Sequence, residues 1–181
     1  SHKVEMLSPP PVSQWSRKIE MQHIQIEDLL GRAQIEIDTY SIQRSLSDRC
    51  VLITGAAGSI GSEIVRQVCR FNPRLLLLCD IAETPLYHIQ LEIKGCFPNV
   101  NFKAVVADVR DMSCMNKICN LYKPEYIYHA AAYKHVPLME DHPSEAILTN
   151  VMGTRNMADL AVKYNVEAFV MISTDKAVNP T

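Results

Sequence analysis

A glycine-rich turn between an apolar strand and a helix constrains this chain more than any other feature. Residues 50–61 read CVLITGAAGSIG, in which an apolar run breaks into three glycines within seven residues. Residues 62–68 then have the apolar spacing of a helix. Strand, tight turn and helix in this order are typical of a dinucleotide site, because the free N–H groups at a helix start attract phosphates.

The three glycines have separate predicted roles in that turn. Gly55 allows the sharp bend off the strand, Gly58 lets the backbone approach a pyrophosphate, and Gly61 lets the helix pack close to the strand. The G-x-x-G-x-x-G spacing indicates the short-chain dehydrogenase variant, and the missing Gly-Lys-Ser/Thr ending argues against a P-loop. Asp80 follows at the distance expected of a residue that accepts from the adenosine ribose, which favours NAD over NADP.

Apolar runs and helical patterns alternate from residue 51 onward. The runs predict five strands, at residues 51–54, 75–79, 102–107, 126–132 and 168–173. Helices are predicted between them, one capped by Asp111 and a long one over residues 143–164. This pattern predicts an α/β fold, a doubly wound (Rossmann) parallel sheet of order 3-2-1-4-5 truncated after strand five. Ligands are then expected at the carboxyl ends of strands one and four, where the chain reverses direction.

The first 49 residues differ from the rest. We expect residues 1–49 to form an N-terminal arm and lead-in segment, and residues 50–181 to form an NAD(P)-binding Rossmann domain that is incomplete at its C-terminus. The prolines of Ser8–Pro11 favour disorder or an extended arm. Residues 24–32 predict a short helical turn, and residues 39–46 a short helix that leads into strand one.

Composition narrows the classes of function. A net charge of −2 and the lack of a dense Lys/Arg run disfavour binding to nucleic acid or to a membrane surface. The cysteines stand singly, without a C-x-x-C pair or a secretory signal, so we interpret them as reduced thiols of a cytoplasmic domain. The apolar runs are shorter than the ~20 residues of a membrane span. No His, Cys, Asp or Glu spacing indicates a metal site.

Three segments together carry a family resemblance. Residues 54–63 (TGAAGSIGSE), 129–140 (HAAAYKHVPLME) and 173–181 (STDKAVNPT) resemble the polysaccharide-biosynthesis branch of the extended short-chain dehydrogenases. The most similar members are UDP-N-acetylglucosamine 4,6-dehydratases of bacterial capsule, O-antigen and glycan pathways, and the resemblance covers about residues 20–181. It implies NAD as a recycled cofactor, with NADP as the alternative because some relatives use it.

The resemblance also implies roles for particular residues. Asp175 would be the acid for the leaving hydroxyl, Lys176 the base at carbon 5, and Thr174 a hydrogen-bond donor near the carbon 4 oxygen. A solvated surface pair is the other interpretation of Asp175 and Lys176. Substrate contacts are expected from Lys134 and His135. The cofactor residues are expected to be Gly55, Ala57, Gly58, Ser59, Ile60, Gly61, Asp80, Asp108, Val109, Ala130, Ala131, Ala132 and Asn150.

Several of these residues keep a second interpretation. Asp108 fits a helix cap as well as an adenine contact, and Asn150 fits an exposed helix position. Lys134 fits a solvated lysine, and His129 is interpreted as a packed histidine rather than a ligand. Arg110 or Arg74 would be the residue to accommodate a 2′-phosphate if NADP were used.

The chain departs from the family pattern in one respect. The Tyr-x-x-x-Lys or Met-x-x-x-Lys helix of the family is absent, so the chain resembles a fragment without the sugar-nucleotide domain. The resemblance implies a UDP-N-acetylhexosamine substrate, a homo-oligomer, and a parent protein anchored at the inner face of the cell membrane. A nucleotide-sugar 4-epimerase and a non-catalytic dinucleotide-binding module are the alternative functions.

Overall fold

The computed structural model describes residues 38–173 and two short strands, Leu7–Ser8 and Gln22–His23, which pair antiparallel. One compact unit ends at Asp38 and a second begins at Thr39. The prolines at 9–11 and the helical turn expected at 24–32 lie outside the described residues, as do Thr174, Asp175 and Lys176.

The second unit contains a five-stranded parallel sheet. Its strands are β1 (Cys50–Thr54), β2 (Leu75–Asp80), β3 (Phe102–Val106), β4 (Tyr126–His129) and β5 (Ala168–Met171). Neighbouring strands pair in the order β3-β2-β1-β4-β5, all parallel, which confirms the predicted topology.

Strand β4 ends three residues earlier than predicted. The Ala130 N–H still donates to the Thr54 carbonyl at 3.0 Å, but Gly55 then turns away with φ of +67°, so β1 offers Ala131 no further partner. Strands β3 and β5 also end before the predicted boundaries, at Val106 and Met171. The alanines after β4 thereby become a loop over the end of β1.

The helices follow the predicted alternation with two exceptions. They are α1 (Thr39–Leu46), α2 (Ser59–Cys69), α3 (Glu83–Cys96), α4 (Met112–Tyr122), α5 (Val136–Asp141), α6 (Pro143–Ala146) and α7 (Thr154–Lys163). The single helix predicted over 143–164 is instead α6, a π-helix at Ile147–Gly153, and α7. Helix α5 was not predicted. Helix α5 ends before His142, which has φ of −131° and ψ of 58°, and α6 begins at the next residue, Pro143.

Two apolar clusters cover the two faces of the sheet. On one face Leu52, Leu77 and Ile127 pack with buried residues of α4 and α7, among them Met115 and Leu160. On the other face Val51, Ile53, Leu76 and Leu78 pack with α1, α2 and α3. Burial of β1 on both faces is the expected environment of a central parallel strand. In the described part of the chain, no helix has both the length and the apolar character needed to cross a membrane.

A row of charges crosses the amino-terminal edge of the sheet. Arg74, Arg49, Glu125 and Glu167 each immediately precede a strand, and they follow one another in sheet order from β2 to β5. Arg49 Nη1 lies 2.7 Å from Glu125 Oε1 and 2.8 Å from Glu167 Oε1. Arg74 Nη2 lies 2.8 Å from Glu125 Oε2. The Glu125 carboxylate also accepts the Cys50 N–H at 2.8 Å. We call these four side chains the ion-pair row.

Candidate active site

A cavity of about 330 Å³ opens at the carboxyl edge of the sheet. It lies where β1 and β4 are neighbours and the chain order reverses, as the topology predicts. The glycine turn, the end of β2, the loops after β3 and β4, and the π-helix supply its walls. Nine of the predicted cofactor residues line it: Gly55, Ala57, Gly58, Asp80, Asp108, Val109, Ala130, Ala131 and Ala132.

The glycine turn is held by close backbone packing. A Cβ on Gly55 would lie 2.6 Å from the carbonyl carbon of Ala130, and one on Gly61 would lie 1.9 Å from the Gly55 oxygen. Neither position therefore has room for a side chain, and Gly55 also needs its positive φ. The predicted approach of Gly58 to a pyrophosphate stays a prediction.

Helix α2 begins directly after the turn, at Ser59. No side chain caps it, and Ser59 and Ile60 are exposed. An uncapped first turn leaves N–H groups directed outward, where an anion can accept them. Ser59, Ile60 and Gly61 do not line the cavity themselves, so their cofactor role rests on this helix start.

Asp80 joins the end of β2 to the glycine turn. Its Oδ2 accepts the Ala57 N–H at 2.9 Å, and its Oδ1 accepts the Ala82 N–H at 2.9 Å. Each oxygen keeps a lone pair for a further donor. The carboxylate is thus fixed beside the cavity, and its contact with an adenosine ribose stays a prediction.

The loop after β3 is fixed by charge. Asp108 accepts the Arg110 backbone N–H at 2.8 Å and its guanidinium at 2.7 Å, and Arg110 Nη1 also lies 2.7 Å from Glu145 of α6. The alternative of Asp108 as a helix cap is wrong, because Asp111 caps α4 by accepting the Cys114 N–H at 2.9 Å. The Asp111 cap was predicted.

This geometry disfavours both arginines that were considered for a 2′-phosphate. Arg110 lines the cavity but is already paired with two carboxylates. Arg74 lies in the ion-pair row, about 20 Å from the cavity because the six residues of β2 separate them.

The loop after β4 is held by Asn150 of the π-helix. The Asn150 side-chain amide accepts the Tyr133 N–H and donates to the Tyr133 carbonyl, both at 2.8 Å. Asn150 does not line the cavity, so its predicted cofactor role is supported only through this loop. Lys134 and His135 follow Tyr133, are exposed, and lie outside the cavity wall, so their substrate role stays a prediction.

Thr149 is a cavity residue that sequence reasoning missed. Its hydroxyl oxygen is buried and has no hydrogen-bond partner among the described residues. A buried hydroxyl without a partner is costly, so one that lines a cavity suits a polar ligand. Helical periodicity alone could not identify it, because the π-helix changes which residues of this segment face inward.

His129 at the end of β4 is a packed residue, as interpreted from the sequence. It is 2% exposed, and burial lowers the pKa of its imidazole to about 4. The nearby Cys79 thiol lines the cavity, and burial raises its pKa to about 12. Both side chains are therefore uncharged at neutral pH. Within residues 38–173, no three His, Cys, Asp or Glu side chains are grouped to hold a metal ion.

A parallel sheet of this order, with a glycine turn after β1 and an acidic residue ending β2, defines a dinucleotide-binding domain of the short-chain dehydrogenase type. A family model described as "Polysaccharide biosynthesis protein" matches residues 51–181. The chain belongs to this polysaccharide biosynthesis family.

Individual relatives agree with that membership. The chain is 47% identical to the capsular polysaccharide biosynthesis protein CapD of Staphylococcus aureus over 89% of its own length and 27% of the relative. It is 32% identical to a UDP-glucose 4-epimerase of Rickettsia massiliae, over 74% of this chain and 38% of that protein. The chain thus spans about a quarter to two fifths of these relatives.

A solved structure shares the fold. The Bordetella bronchiseptica enzyme WbmG, solved in complex with NAD and UDP, superposes with a TM-score of 0.60 at 26% identity. The match covers 71% of this chain and 38% of that one.

Proposed function

We propose that the cavity binds NAD. The support is structural: a bent glycine turn leads into an uncapped helix start, Asp80 is fixed at the end of β2, and Thr149 presents a buried hydroxyl without a partner. The WbmG structure, which holds NAD, has the same fold. Asp80 and the paired state of Arg110 favour NAD over NADP. Calorimetric titration with both nucleotides tests this preference, and tighter binding of NADP would contradict it.

We further propose that the protein carrying this domain is a nucleotide-sugar 4,6-dehydratase that acts on a UDP-N-acetylhexosamine for surface polysaccharide synthesis. One observation carries this proposal: β5 runs parallel to β4, so its last residue, Met171, lies at the same edge of the sheet as the cavity. In the sequence, only Ile172 and Ser173 separate Met171 from Thr174-Asp175-Lys176, the triplet of the dehydratases that the sequence resembles.

The proposed mechanism divides the work between cofactor and side chains. When bound, NAD would supply reversible hydride transfer, taking a hydride from carbon 4 of the sugar and giving it back at carbon 6. Thr174 hydrogen-bonds the carbon 4 oxygen, whose conversion to a ketone acidifies the carbon 5 proton. Lys176 removes that proton, and Asp175 protonates the carbon 6 hydroxyl, which leaves as water. Asp80 and the α2 start hold the adenosine ribose and the pyrophosphate.

Product analysis tests the proposed reaction directly. The natural protein that carries this sequence is incubated with UDP-N-acetylglucosamine, and the sugar is followed by NMR. A 4-keto-6-deoxy sugar is the expected product. Unchanged substrate would contradict an enzymatic role with this sugar and favour the non-catalytic dinucleotide-binding module.

A nucleotide-sugar 4-epimerase is the second candidate. Identity with the Rickettsia massiliae UDP-glucose 4-epimerase favours it, since that match covers 74% of the chain. In the NMR experiment an epimerase would yield the carbon 4 epimer and no deoxy sugar. The Asp-Lys pair after β5 favours the dehydratase, because epimerases of this fold usually lack it.

The resemblance also supports a homo-oligomeric protein at the cytoplasmic face of the membrane. Light scattering of the natural protein tests the assembly, and membrane fractionation tests the location. A monomer in the first experiment would contradict the assembly proposal, and exclusive recovery from the soluble fraction would contradict the location.

A further inference from the structure

His129 connects three elements beneath the cavity. Its Nδ1 lies 2.7 Å from the Thr54 hydroxyl, at the end of β1, and its Nε2 lies 3.0 Å from the Thr154 hydroxyl, at the start of α7. Thr54 is fully buried, and the imidazole is stacked on Phe169 of β5 with ring centroids 6.0 Å apart. The mechanism proposed above assigns no role to this imidazole.

The residues that follow Thr54 and His129 form facing walls of the cavity. Gly55 follows Thr54, and Ala130 and Ala131 follow His129. These residues carry a methyl group or no side chain, so they have no side-chain hydrogen bond with which to fix their spacing. The backbones already approach so closely that a Cβ on Gly55 would lie 2.6 Å from the Ala131 nitrogen. The nearest side-chain link between the two walls is the Thr54–His129 hydrogen bond, one residue below them.

We propose that His129 is a positioning residue for the cofactor, and that its hydrogen bond to Thr54 sets the distance between the glycine turn and the loop after β4. The bond joins β1 to β4 at their last residues, where the two strands are paired side by side. The Thr154 bond has a different effect, since it anchors the imidazole to α7 and does not join the two walls. The proposal rests on NAD as the ligand, and it does not depend on the dehydratase chemistry.

A neutral imidazole suits this position. One ring nitrogen donates and the other accepts, and each threonine hydroxyl can take either role, so both links form without a buried charge. Removing one link leaves a buried nitrogen or hydroxyl without its partner, which lowers stability in either case. Stability alone therefore cannot identify the positioning link, whereas the affinity for NAD can.

Two substitutions separate the links. The side-chain amide of Asn occupies the place of Nδ1, so H129N keeps a partner for Thr54 and loses Thr154. The amide of Gln reaches the place of Nε2, so H129Q keeps Thr154 and loses Thr54. Both variants lose the stacking on Phe169, so they are matched in that respect. T54V and T154V remove the same links from the other side, and T54S restores the hydroxyl.

NAD affinity is measured by calorimetry, and thermal stability by the unfolding midpoint, in the natural protein that carries this sequence. We expect H129Q and T54V to bind NAD on the order of tenfold more weakly. H129N, T154V and T54S should stay within about twofold of the unmodified protein, because each keeps the Thr54 link. All except T54S should melt earlier.

Two results would overturn the inference. One is that the affinity for NAD decreases in every variant that has a lower melting temperature, which would make His129 a purely structural residue. The other is H129N weakening NAD as much as H129Q does. Absence of NAD binding by the unmodified protein is a distinct result, which would contradict the proposed cofactor itself.

Discussion

The buried imidazole of His129 makes the stability of the domain depend on pH in a defined direction. Burial lowers its pKa to about 4 in the folded protein, compared with 6.5 for an exposed histidine. Well above pH 6.5 the imidazole is neutral in both states and has no effect. As the pH falls from 6.5 towards 4, the unfolded chain takes up a proton that the folded chain does not, so unfolding becomes easier.

We expect His129 to account for a loss of about 3 kcal/mol in the free energy of unfolding between pH 7 and pH 4. Urea unfolding at several pH values measures this loss. H129N and H129Q lack the titrating group, so their curves should be flatter than that of the unmodified protein over this range. Parallel curves for all three proteins would contradict the assigned pKa.

Asp175 and Lys176 allow a second prediction at the scale of residues. If they serve elimination, D175N and K176A should lower the dehydration rate by on the order of 10²- to 10⁴-fold each. NAD affinity should change little, because the cofactor contacts proposed above lie elsewhere. Product formation and calorimetry of the natural protein measure the two quantities. Normal dehydration by both variants would show that the pair has no role in elimination. Loss of NAD binding would show that its role is structural.

At the scale of elements, the segment from Pro143 to Lys163 shows what sequence patterns can and cannot predict. Its helical character was predicted, but the π-helix at Ile147–Gly153 was not. Tertiary contacts fix this segment. Asn150 bonds Tyr133, and Asn156 donates to the Val109 and Arg110 carbonyls, each at 3.0 Å. Periodicity reports which face is apolar, and it does not report contacts with distant loops.

The first turn of α2 and the last turn of α3 offer a matched pair of glycine substitutions. A Cβ on Gly61 would lie 1.9 Å from the Gly55 oxygen, whereas a Cβ on Gly95 would meet nothing within 4 Å. G61A should lower the free energy of unfolding by more than about 2 kcal/mol and weaken NAD binding. G95A should raise it by up to about 1 kcal/mol, since alanine favours helix.

Denaturant unfolding and NAD titration of both variants test this pair. G95A controls for the addition of a methyl group to a helical glycine. A G61A protein as stable as the unmodified one would show that α2 can move away from β1, contrary to the close packing described here.

At the scale of the whole molecule, the sheet order and the place of the cavity were predictable, and the hydrogen bonds of the site were not. Strand order follows from β/α alternation and the handedness of crossovers, which depend on many residues at once. The link of His129 to Thr54 spans 75 residues of sequence, and the pair Arg110–Glu145 spans 35. Such pairs depend on the packed geometry. Asp108 illustrates the limit, because its sequence position fits a cap that Asp111 provides.

The ion-pair row gives a prediction for the whole sheet. Although burial opposes ionisation, the Cys50 N–H and the guanidinium groups of Arg49 and Arg74 hold the pKa of Glu125 below its ordinary value. E125Q should lower the free energy of unfolding by about 1 kcal/mol at low salt. E167Q should change it by less than about 0.5 kcal/mol, because the more exposed Glu167 has one partner in the row.

Urea unfolding at low and high salt measures both effects. The cost of E125Q should shrink as salt screens its pairs, and NAD affinity should not change in either variant. If E125Q and E167Q lowered the free energy of unfolding equally, the additional ion pair of Glu125 would contribute nothing measurable to stability.

The position of the ion-pair row also bears on how the domain can be engineered. Many enzymes gain heat resistance only at the expense of turnover, because the stabilising changes stiffen the loops that must move. Here the charges stand at one end of the strands and the proposed cofactor loops at the other. Directed evolution confined to the amino-terminal edge can therefore search for more stable variants without changing the residues of the proposed cofactor site at the opposite edge.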